Sequence, residues 1–241
     1  MSLRAFSTAL QFLTRLPVPR VEGLSADDLP PAAIWFPLVG AIVGAAVGAA
    51  LWAGGHASPS VGALCALLVW VTITGGLHLD GLGDVADALA ASHRSPERFL
   101  AVLRDPHIGA FGVMAIALQL IAKLVLLADL SGVDALPALV LVAAWARWGP
   151  LVWALVLPPL ASGSGERFAA QIDRRGVLVE GIALALLSVW LAPALLAALP
   201  VVAVIGGYWK LRLGGMTGDC LGAGIEVTET ALLLLLAVGS A

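Results

Sequence analysis

Charge is what this sequence has least of. Only 12% of its 241 residues are Asp, Glu, Lys or Arg, while 60% are hydrophobic and the mean hydropathy is +0.99. So little polar surface excludes a water-soluble domain and points to an integral membrane protein. Cysteine is nearly absent too: Cys65 in an apolar run and Cys220 in a Gly-rich turn exclude a disulfide framework and are expected as reduced thiols. No G-x-S-x-G, Walker-type or Cys/His zinc pattern occurs, which disfavours serine-nucleophile hydrolysis and P-loop ATP binding. The N-terminus does not read as a cleavable signal, because Arg15 closes its short apolar patch. No nucleic-acid partner is expected.

What the chain has in abundance is apolar sequence. Stretches of roughly 20 residues, enough to cross a ~30 Å hydrocarbon core, lie near 33–54, 60–79, 109–128, 136–157, 177–192, 195–209 and 225–239. Ahead of them, Leu3, Phe6, Leu10 and Leu13 recur at helical spacing, as in a helix lying in the membrane interface. Pro17 and Pro19 then break it. The expected fold is an all-α polytopic bundle of about seven transmembrane helices plus that interfacial helix, one domain over 1–241. Gly40, Gly44 and Gly48 form a small-residue stripe, read as helix packing.

Basic residues set the orientation. Arg4, Arg15 and Arg20 sit in the 1–20 arm; Arg94, Arg98 and Arg104 in the 79–108 connection; Arg167, Arg174 and Arg175 in 158–176; Lys210 and Arg212 in 210–229. The alternate loops carry no Lys or Arg, so the positive-inside rule puts the arm and long connections in the cytoplasm.

The stretch TGGLHLDGLGDVADAL places Asp80, Asp84 and Asp87 at i, i+4 and i+7, within a sector of roughly 60° on a helix. Three carboxylates on one face repel unless a cation sits among them, and oxygen-only ligands suit Mg²⁺, Mn²⁺ or Ca²⁺. The alternative is a solvated polar face. A second motif, GGMTGDCLGAGIEVTE, spaces Asp219 and Glu226 seven apart with Glu229 a turn further. Two acidic motifs on separate helices suit a diphosphate held through metal ions. Asp80, Asp84, Asp87, Asp219 and Glu226 are thus the metal candidates, with Mg²⁺ the expected cofactor.

Cationic partners are present as well. Arg104 and His107, in RDPHIGAFG, precede a helix N-terminus that can receive an anion. Arg147 falls inside a span and should face a polar cavity. Lys123 reads equally as functional or as snorkelling near Asp129 at the outer interface. His78 and His107 could move protons, or be plain hydrogen-bonding residues; His56 and His93 have no ligand-spaced partner.

Five motifs in order, FLTRLPVP (Phe12–Pro19), FPLVG (Phe36–Gly40), TGGLHLDGLGDVADAL, RDPHIGAFG and GGMTGDCLGAGIE, resemble those of cobalamin synthase, the adenosylcobinamide-GDP ribazoletransferase family. The resemblance implies a Mg²⁺-dependent enzyme of the prokaryotic cytoplasmic membrane. It would join adenosylcobinamide-GDP to α-ribazole or its 5′-phosphate and release GMP. The ribazole 3′-hydroxyl would attack the phosphorus nearer the corrinoid. In this reading Asp87 is the candidate base with His78 second, Arg104 stabilises charge, and Arg15, Arg104, His107, Lys123, Arg147 and Thr217 bind substrate. A homo-oligomer or contact with other enzymes of the pathway is compatible with it. The D-G-x-x-D-x-x-D core also resembles part of the CDP-alcohol phosphotransferase signature, but lacks the preceding Asp and the Ala-Arg pair. A prenyltransferase and a corrinoid transporter are rival functions for such a chain. Transport predicts ionisable groups near the bilayer midplane, whereas the acids here are expected at one edge.

Overall fold

A computed structural model describes every residue except 1, 19–20, 22, 24, 26–27, 93–94, 131–134, 161–170 and 240–241. Pro19, Arg20, His93, Arg94 and Arg167 therefore lie outside the described residues. The described chain is helical: α1 (Leu3–Leu13), α2 (Leu29–Ala33), α3 (Phe36–Gly55), α4 (Pro59–Thr74), α5 (Leu77–Ala91), α6 (Pro96–Val102), α7 (Ala110–Asp129), α8 (Ala135–Val156), α9 (Arg174–Leu191), α10 (Ala198–Leu213, entered through a 3₁₀ turn at Pro193–Ala197) and α11 (Gly218–Gly239). Extended pairing among the described residues is limited to one parallel bridge, Pro159 with Met216.

Among the described residues, five segments are long and apolar enough to cross a membrane, α3, α7, α8, Pro193–Leu213 and α11, with the bent pair α4–α5 a sixth if it counts as one span. The expected span at 60–79 is shorter than the apolar run suggests. Helix α4 stops at Thr74, Gly75 and Gly76 take φ 62° and 71°, and α5 leaves at 85° to α4. Residues with side chains rarely adopt that left-handed region, so the Gly-Gly pair turns the chain where hydropathy alone would carry it straight on. The span at 177–192 corresponds to α9, whose 18 residues include Arg174, Arg175 and Glu180. The connection expected at 210–229 is a correction: α10 reaches Leu213 and α11 begins at Gly218, leaving only 214–217 between them.

Packing follows the small residues. A Cβ on Gly40 or Gly44 would collide with the α8 carbonyls of Ala143 or Leu139, and on Gly48 it would stand 3.1 Å from Leu136 Cα. The stripe thus lets α3 and α8 touch backbone to backbone, as its spacing suggested. These contacts make α3 and α8 antiparallel. Trp148 Nε1 donates to the Val177 carbonyl (2.8 Å) and Trp145 Nε1 to Ser188 Oγ (2.9 Å), which sets α9 antiparallel to α8. One end of the bundle therefore collects the start of α3, the end of α4, α5, and the starts of α7 and α11. Helix α1 rests there through Phe6 against Trp35 (5.1 Å) and Phe12 on Phe36 (5.8 Å), while Leu3 stays 86% exposed.

Candidate active site

Helix α5 runs across this end, buried on one side through His78, Leu79, Gly81, Gly83, Val85 and Ala88. Gly81 faces α11, where an added Cβ would be 3.0 Å from the Asp219 carbonyl oxygen. That close crossing brings Asp80 and Asp84 of α5 toward Asp219 in the first turn of α11. Asp80 is exposed, and Asp84 and Asp219 are half-buried. Burial first, then the neighbouring charges of Asp80, Asp219 and Asp87, push the Asp84 carboxyl above its ordinary value. Like charges so gathered repel one another. Among the described residues, however, no three His, Cys, Asp or Glu side chains gather tightly enough to hold an ion unaided.

Asp87 has a different set of partners. Gly109 N–H donates to its Oδ2 at 2.6 Å and Gly112 N–H to its Oδ1 at 2.9 Å, so the carboxylate caps the start of α7 from another helix. Arg104 and His107 lie exposed on the segment leading into that cap. Asp105 Oδ1 accepts from the His107 backbone (3.0 Å) and lies 2.7 Å from His107 Nδ1, contacts that hold the Asp105 carboxyl below its usual range. Thr217 Oγ1 accepts from Cys220 N–H at 3.3 Å, the bond of a helix cap at the head of α11. Exposed Arg15 packs its side chain against Gly75, and its backbone N–H donates to the Ile73 carbonyl at 2.6 Å.

Four expected site residues lie elsewhere. Glu226 is 3% exposed; its Oε2 accepts from Lys123 Nζ (2.6 Å) and Gln119 Nε2 (2.8 Å). Lys123 also binds Glu229, which in turn binds Arg147. Lys123 stands roughly 20 Å along α7 at about 1.5 Å per residue, and these buried contacts show that its side chain turns inward rather than snorkelling outward. Lys123 Nζ also sits 4.5 Å from the Trp70 ring centroid. The result is a chain, Gln119–Glu226–Lys123–Glu229–Arg147, with two cations and two anions, tying α7, α8 and α11 together. His78 is 2% exposed, and neither ring nitrogen has a hydrogen-bond partner among the described residues.

Glu226, expected as a metal ligand, Lys123 and Arg147, expected as substrate cations, and His78, expected as a proton carrier, are thus buried inside the bundle and not on the exposed lip. The polar atoms of Glu226, Lys123 and Arg147 are paired within the buried chain, where an unpaired charge is too costly to leave, and His78 is enclosed in the bundle without a hydrogen-bond partner among the described residues. The expectation that all acids gather at one edge fails for Glu226 and Glu229 for the same reason. Gln119 and Trp70 escaped notice because each is a single polar or aromatic residue in an apolar run. An apolar span containing Gln119 and Lys123 at i and i+4 was the available signal.

Fold and site define a polytopic, all-helical membrane protein with a carboxylate lip at one bundle end above an internally neutralised ion chain. A sequence profile of the family described as Cobalamin-5-phosphate synthase matches residues 5–237, and the chain belongs to that family. It is 52% identical to the adenosylcobinamide-GDP ribazoletransferase of Thiobacillus denitrificans, covering 99% of this chain and 97% of the relative. Relatives of the same name from Laribacter hongkongensis (54%; 99% and 98% covered) and Novosphingobium aromaticivorans (50%; 98% and 97%) are similarly close. No solved structure matches it.

Proposed function

We propose that this protein is the membrane transferase that joins adenosylcobinamide-GDP to α-ribazole or its 5′-phosphate in the last assembly step of cobalamin, releasing GMP. The acceptor's 3′-hydroxyl oxygen forms a bond to the phosphorus nearer the corrinoid. The bond from that phosphorus to the GMP oxygen breaks, and the hydroxyl proton departs. Family membership supports the reaction. The observation that supports its location is the approach of Asp80, Asp84 and Asp219 from two helices at one bundle end.

The donor set there fits Mg²⁺ on its chemistry: it is oxygen-only, partly open to solvent, and too loosely gathered to hold an ion without further ligands. Mg²⁺ is characteristically held by one or two carboxylates together with substrate phosphates and water. When bound it would neutralise charge on the diphosphate. Asp80, Asp84 and Asp219 are the residues that would hold it, and the exposed Arg104 would meet phosphate oxygens. We place this end on the cytoplasmic side of a prokaryotic inner membrane, because Arg15, Arg98, Arg104, Arg174, Lys210 and Arg212 all fall at it.

Purified protein given adenosylcobinamide-GDP and α-ribazole phosphate should release GMP with Mg²⁺ and stop on chelation. Asp84→Asn should cut turnover by about 100-fold or more, as expected when a charge-stabilising element is lost. Full Mg²⁺-dependent GMP release by Asp84→Asn would remove the metal assignment. Pyrophosphate in place of GMP would remove the reaction.

A further inference from the structure

Asp87 bears the third carboxylate of the α5 face, yet its geometry sets it apart from the other two. We propose that Asp87 is a positioning residue: its carboxylate clamps the Arg104–Gly109 segment to α5 beside Asp84, and it neither ligates a metal nor removes a proton. The kinetic part of this proposal rests on the transferase reading above; the geometric part does not.

A helix start leaves backbone N–H groups without partners, and the usual remedy is a side chain at the N-cap itself. Here the N-cap is Gly109, which has none. The acceptor comes from 22 residues earlier, on another helix, and both oxygens are used: Oδ2 by Gly109 and Oδ1 by Gly112. An anion is favoured at that position by the helix dipole as well. The two glycines are part of the same device. A Cβ on Gly109 would lie 2.8 Å from Asp87 Cγ, and one on Gly112 would collide with Asp87 Oδ2 and stand 2.9 Å from the Gly83 carbonyl. Ile108, between Arg104 and the cap, lies against Gly83, next to Asp84. A segment with an exposed Arg104 and His107 is thus fixed at its C-terminal end to the helix that carries the acidic lip.

The glycines make the idea separable from metal binding. Gly112→Ala keeps the carboxylate but forces it off the cap, whereas Asp87→Asn keeps the shape but replaces one acceptor with a donor facing an N–H. If the residue is a clamp, both variants lower kcat for GMP release by about tenfold or more, because small misplacements are costly to an oriented reaction. Both also leave half-saturating Mg²⁺ within about twofold of the parent and speed tryptic cleavage at Arg104, the mark of a loosened segment. A tenfold rise in half-saturating Mg²⁺ for Asp87→Asn alone, with Gly112→Ala unaffected, would overturn the proposal. So would parental tryptic rates in both variants. If the parent itself releases no GMP, the transferase reading fails, and the tryptic comparison alone decides the clamp. Should Gly112→Ala fail to fold, the near-isosteric Asp87→Asn still decides: slow turnover with unchanged Mg²⁺ demand and faster cleavage supports it, and any other pattern overturns it.

Discussion

Glu229 is fully buried and binds two cations at once, Lys123 and Arg147. Removing its charge strands Arg147 in the bundle and leaves Lys123 with Glu226 alone, and breaking a buried pair from one side costs about 3–5 kcal/mol. Glu229→Gln should therefore lower thermal stability in detergent severely. Glu226→Gln should do so less, since Lys123 keeps Glu229. The functional contrast is sharper: Glu226→Gln in folded protein should leave half-saturating Mg²⁺ unchanged, whereas Asp84→Asn should not, and titrating Mg²⁺ against GMP release reads the difference. An equal Mg²⁺ defect in both variants would restore Glu226 to the lip. At this scale the sequence was partly legible. Helical spacing correctly put Asp80, Asp84 and Asp87 on one face, but spacing within a helix does not say which neighbour that face meets. Asp87 meets two backbone amides, and Glu226 meets Lys123, 103 residues away.

Helix contacts depend on where backbones may approach. The α3 stripe was readable because glycines four apart leave a groove whatever the partner. The identity of that partner, α8, was not, since several spans are equally apolar. Gly44→Ala should overpack the α3–α8 contact, at about 1–3 kcal/mol. Gly55→Ala, at the end of α3 with nothing within 4 Å of the added carbon, should be tolerated. Thermal unfolding of the two variants side by side makes the comparison, and similar midpoints would show that the contact does not limit stability. The break after Thr74 was hidden for a related reason: hydropathy runs on smoothly through Leu77 and Leu79. The cue lay in Gly75 and Gly76, two adjacent residues able to take positive φ. That bend is what swings α5 across the bundle end and carries Asp80 and Asp84 to Asp219, so a local backbone feature creates the meeting of two distant motifs.

For the whole molecule, alternation of direction is the stronger constraint. The α3–α8 and α8–α9 contacts, the capped start of α7 and the crossing of α5 over the start of α11 put the Arg104 segment at one end and the α3–α4 turn at the other. The sequence anticipated this from basic residues alone, because charge asymmetry between loops survives errors of several residues in the span ends. Orientation can be checked without activity. With Cys65 and Cys220 replaced by alanine, Ala57→Cys in the exposed α3–α4 turn should react with a membrane-impermeant maleimide added outside intact spheroplasts. His107→Cys should react only after the membrane is opened. The reverse pattern would put the carboxylate lip outside the cell. A cytosolic diphosphate substrate could not then reach it, so the orientation and the proposed reaction stand or fall together on that one labelling experiment.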